Sequence, residues 1–133
     1  MTVNLSDTDK ANLRIAAYGA ITLLSAAGAA GGSPHKIATT GSIALGSATG
    51  LVGHVLANYP TGKDLNGKSV AEIADRVLPA LTESMKLLQQ APEEAANFRS
   101  TVVTAMAAAT AQGKPSPVIT EMVGKVTSAL DAA

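Results

Sequence analysis

The run Gly62-Lys63-Asp64-Leu65-Asn66-Gly67-Lys68-Ser69 fits the spacing G-x-x-x-x-G-K-[ST] of a phosphate-binding loop. In such a loop, backbone N–H groups and a helix N-terminus cradle the phosphates. Lys68 would then reach the outer phosphates, and the Ser69 hydroxyl would ligate magnesium. The motif also needs a buried strand leading into its first glycine, and Ala57-Asn58-Tyr59-Pro60-Thr61 is not one. No parallel sheet is expected to hold the loop. Ser69, followed three residues later by Glu72, already has a sufficient role as the N-cap of a capping box. Gly62, Gly67, Lys68 and Ser69 are therefore read as an anion-loop candidate of weak specificity, with no nucleotide or other cofactor expected.

A second pattern is structural rather than catalytic. Gly46, Gly50, Gly53 and Ala57 are separated by steps of four, three and four, so they line one face of the expected second helix. Each glycine inside a helix costs about 1 kcal/mol relative to alanine. Close approach of another helix is the natural compensation, as at the small-residue interfaces of membrane helices. That helix would belong either to this chain, crossing near the alanine-rich first segment, or to a second copy. Gly46, Gly50, Gly53 and Ala57 are the candidate interface.

The remaining chemistry-bearing residues have ordinary explanations. Neither His35 nor His54 has a carboxylate three or four positions on. His35 fits a solvated first turn and His54 a packing position, and no metal site is expected. Glu93 and Glu94 suit a helix start. No G-x-S-x-G elbow exposes a nucleophilic serine. A pocket joining Tyr18, His54 and Tyr59 would favour ligand binding or catalysis; a filled core would not.

The elements that must position these residues are read as helices throughout. Ser6 caps a helix running to about Ala27. Ser33-Pro34 restarts the chain, and the second helix is expected to reach Asn58 as the buried centre of the bundle. Behind Ser69, the residues Val70, Ile73, Val77, Leu81, Met85 and Leu88 form one face, with Pro79 predicting a kink or break. Pro92 opens a fourth helix with Ala95, Phe98, Val102, Ala105 and Ala109 inward, closed by Gly113. Ser116-Pro117 opens the fifth, with Ile119, Met122, Val126 and Leu130 inward. The expectation is all-α: residues 1–133 as a single-domain antiparallel bundle of about five helices with a small-residue core.

Composition bounds the function classes. Of the 133 residues, 47% are hydrophobic but only 2% aromatic, which removes the stacking platforms used by single-strand binders. Ten basic and ten acidic residues give a formal charge of zero, arguing against nucleic acid and for self-association. Cysteine is absent, so thiolate chemistry and disulfides are excluded, and a cytoplasmic location is the expectation. Ile15–Ala30 has the outline of a signal peptide, but Asp7 and Asp9 spoil its leading region. Residues 37–59 lack Lys, Arg, Asp and Glu over a bilayer-spanning length, yet Ser, Thr, Asn and four glycines dilute them. These observations together predict a non-enzymatic helical module acting on a homo-oligomeric or protein partner. An inter-helix ligand or anion site is the alternative, and membrane association a third.

Overall fold

Ser6 starts the first helix, α1 (Asp7–Gly28), through a reciprocal cap. Its Oγ accepts the Asp9 N–H at 3.0 Å, and the Asp9 carboxylate accepts the Ser6 N–H at 3.1 Å. The computed structural model describes residues 5–28, 34–60, 69–111 and 116–133. Five further helices follow among them: α2 (Pro34–Gly46), α3 (Gly50–Leu56), α4 (Val70–Leu88), α5 (Pro92–Thr110) and α6 (Pro117–Asp131). The described residues contain no strand. The described residues are all-helical, with six helices where about five were expected.

The additional helix comes from the segment expected to run unbroken to Asn58. It stops at Gly46 and resumes at Gly50, with Ser47-Ala48-Thr49 between. The Ser47 N–H is shared between the Ile43 and Ala44 carbonyls, and the Ser47 hydroxyl donates to the Ile43 carbonyl at 2.9 Å. That hydroxyl competes with the backbone for the last turn of α2. Gly50 then takes φ +70°, a left-handed conformation that glycine adopts without steric cost.

The centre of the bundle is α1, not the second segment. Every residue from Ile15 to Ile21 is buried, as are Leu13, Leu23, Leu24, Ala27 and Gly28. A helix apolar around its whole circumference has no solvent face to offer, so the others surround it. It touches all five of them. Glycines on both sides of these contacts allow close approach. A side chain at Gly19 would run into Val77 of α4, and one at Gly41 of α2 would come within 2.6 Å of Ile21. In contrast, α2 leaves Lys36, Thr39, Ile43 and Gly46 exposed at steps of three, four and three. That spacing is one helical face turned to solvent.

The other helices follow their periodicity. Ser69 and Glu72 form the reciprocal capping box, each bond at 3.2 Å. Ile73, Val77, Leu81 and Leu88 of α4 are buried, whereas Val70 is exposed and Met85 half-buried. No break occurs at Pro79: α4 is continuous from Val70 to Leu88. Pro79 is exposed, so the carbonyl it cannot serve is on the wet side, and buried Val77, Ala80 and Leu81 hold both flanks to the core. Ala95, Phe98, Val102, Ala105 and Ala109 of α5 are all buried, as are Ile119, Met122, Val126 and Leu130 of α6. The α5 helix ends at Thr110; Gly113 lies outside the described residues. One cluster of buried residues draws on all six helices, with alanines interleaved among leucines and a single Phe98.

Candidate functional site

The most unusual local arrangement surrounds α3. Seven residues make barely two turns, far short of the roughly 12–15 that an isolated helix needs. Its N-cap residue, Thr49, makes no side-chain capping bond. The cap comes from α5 instead. The Glu94 carboxylate accepts the Val52 N–H at 3.4 Å, and the Asn97 amide donates to the Thr49 carbonyl at 2.9 Å and to Glu94 at 3.4 Å.

The other end is closed by α1. Arg14 Nε donates to the Val55 carbonyl at 2.9 Å, and the Tyr18 hydroxyl donates to the Leu56 carbonyl at 2.5 Å. Arg14 and Tyr18 are four apart, so they reach the same helix end from one face of α1. The charges match the polarity of α3: a carboxylate faces the positive N-terminus and a guanidinium the negative C-terminus. Val52, Gly53, Val55 and Leu56 are buried in this cradle. Burial pushes the Tyr18 phenol above its ordinary value of 10.0, helped by Tyr59 and opposed by Arg14. The Tyr59 ring meets Tyr18 edge-on at 5.1 Å and 64°.

The four candidate interface residues do not share one helical face, because the break at 47–49 separates them. Gly46 ends α2 in the open, with nothing within 4 Å of where a side chain would begin. Gly50 sits beside Glu94, where a Cβ would lie 3.3 Å from the carboxylate. Gly53 is buried against the Ala48 backbone, so its lack of a side chain serves a contact within the chain. Ala57 is the exposed C-cap of α3. Gly62, Gly67 and Lys68 of the anion-loop candidate lie outside the described residues, as does the side chain of His35; Ser69 is engaged in its capping box. His54 is exposed on α3.

Among the described residues, two clefts stand out at the surface. One, of about 360 Å³, runs between the α2–α3 joint and α5, bordered by Ser47, Thr49, Asn97, Ser100, Thr101 and Thr104. Hydroxyl and amide groups supply its polarity, and none of the residues bordering it is ionisable. The other, of about 300 Å³, lies between α1 and α4 beside Asp9, Arg76 and Glu83. Asp9 is committed to the Ser6 cap, and Arg76 donates to the Asn12 amide oxygen at 3.4 Å. Among the described residues, no group of three or more His, Asp or Glu is placed to hold a metal ion. No helix there is long and apolar enough to cross a membrane.

Sequence reasoning assigned Glu94 to its own helix and gave Asn97, Arg14 and Tyr18 no role at the end of another helix. A signal existed: Arg14 and Tyr18 are polar groups four residues apart at the edge of an otherwise apolar run. Compared with protein-family models, characterised proteins and solved structures, the chain matches none.

Proposed function

We propose that this protein is a non-enzymatic helical module that works by self-association through the outward face of α2. The observation that carries this reading is Ile43: it is 66% exposed, with open space beside Gly46 one turn further along the same face. A large apolar side chain next to a glycine offers a knob and a hollow that a second helix can use. The net charge of zero puts no general repulsion between copies. The short connection at residues 89–91, between α4 and α5, fits antiparallel neighbours within each copy. Size-exclusion chromatography with light scattering tests the reading. The expected result is a concentration-dependent dimer that Ile43→Asp reduces to monomer without lowering the melting temperature. A wild-type monomer at millimolar concentration overturns it.

A second reading, binding of a neutral polar ligand, is supported by the hydroxyl-lined cleft of about 360 Å³. Its size falls within the range of small-molecule sites, and Ala44 and Ala48 add apolar surface beside its hydroxyl groups. Ser100→Leu and Thr104→Leu would fill it, and chemical-shift mapping with small polyols would detect an occupant.

A further inference from the structure

We infer that α3 is a strap that leaves the bundle as one unit, latched at one end by Glu94 and Asn97 of α5 and at the other by Arg14 and Tyr18 of α1. Three independent features lead there. The helix is too short to persist once detached, so its residues order and disorder together. Side chains from other helices complete both of its ends, so docking and helix formation are a single event. The joint before it, Ser47-Ala48-Thr49, leads into Gly50 at φ +70°, the one left-handed residue among those described, so the chain can swing without unwinding α2. Departure of α3 uncovers Tyr18, whose hydroxyl and ring both face the strap and the residues just after it. It also bares the surfaces of α1 and α5 against which α3 now packs.

Native-state hydrogen exchange on the full chain, in rising sub-denaturing urea, tests this directly. The amides of Gly53 to Ala57 are expected to exchange through one shared opening, at least ten-fold faster than the slowest amides of α1 and α5. Glu94→Ala should accelerate that group alone by roughly three- to thirty-fold, as loss of a helix N-cap does. Asn97→Ala, which retains the carboxylate, should do so more weakly. Two tyrosines and no tryptophan make the Tyr18 resonances a clean second readout, shifting in step with the same opening. Exchange of Gly53 to Ala57 at the rate of the slowest α1 amides would overturn the strap. So would equal acceleration of α3, α4 and α6 by Glu94→Ala.

Discussion

The Tyr18 hydroxyl of α1 donates to the Leu56 carbonyl of α3 at 2.5 Å, joining residues 38 positions apart inside the bundle. Tyr18→Phe keeps the ring and leaves the carbonyl without that donor. The expected loss of unfolding free energy is about 1–3 kcal/mol, the cost of stranding a buried acceptor. Urea denaturation measures it, and an unchanged midpoint would contradict the bond.

The same phenol predicts a pH dependence. Its folded-state pKa is raised, chiefly by burial, so the folded protein holds the proton more tightly than the unfolded chain. The resulting stability is fully present below the ordinary value of 10.0 and is lost as pH rises through the folded-state pKa. Melting temperatures between pH 8 and pH 11.5 should show this alkaline loss in the wild type and a smaller one in Tyr18→Phe.

Two glycines on α2 should respond in opposite directions. Gly41→Ala places a carbon within 2.6 Å of the buried Ile21 side chain, which must shift to admit it, and should destabilise by about 1–3 kcal/mol. Gly46→Ala meets nothing within 4 Å and should stabilise by up to about 1 kcal/mol through helix propensity. Thermal melts of the pair discriminate the two environments, and equal effects would refute the α1–α2 crossing.

Ser84 is fully buried in α4, and its hydroxyl has no hydrogen-bond partner among the described residues. Ser84→Ala removes that unsatisfied group without adding volume. Stability should stay level or rise by about 1 kcal/mol. A clear loss in chemical denaturation would mean that the hydroxyl has a partner in solution.

Arg99 of α5 and Asp131 of α6 form a two-bond ion pair, at 2.8 and 3.2 Å, with side chains 41% and 55% exposed. The hydrogen bond from Arg99 holds the Asp131 carboxyl below its ordinary value of 3.8. A depressed acid stabilises above its unfolded value, and the contribution disappears as pH falls through the folded one. The coupling between Arg99→Met and Asp131→Asn in a double-mutant cycle should be small, fade in high salt and vanish in strong acid. A coupling indifferent to salt would contradict this solvent-exposed geometry.

The faces of α5 and α6 were legible because proline-marked starts and apolar residues at three- and four-residue steps coincide there. The capping box at Ser69 and Glu72 was legible for the same local reason. The centrality of α1 was not, because a helix apolar on all sides has no preferred face to detect, and its apolar run resembles a targeting segment. Nor was the break after Gly46. Glycine and serine weaken a helix without dictating where it stops, and what stabilises the second piece is Glu94, 42 residues downstream of Val52, together with Arg14, 41 upstream of Val55. Once the break occurs, the turn angle between Gly46 and Gly50 is no longer helical, and the apparent glycine stripe dissolves.

The clamp on α3 requires residues 34–58 to be two helices, the second lying across Tyr18. NMR of the untagged chain tests this most directly, by combining backbone chemical shifts with aromatic cross-relaxation. The expected result is a helical signature interrupted at Ser47 to Thr49, with contacts from the Tyr18 ring to Leu56 and Tyr59. Unbroken helical shifts from residue 34 to residue 58, with no contact between Tyr18 and Leu56, would contradict it.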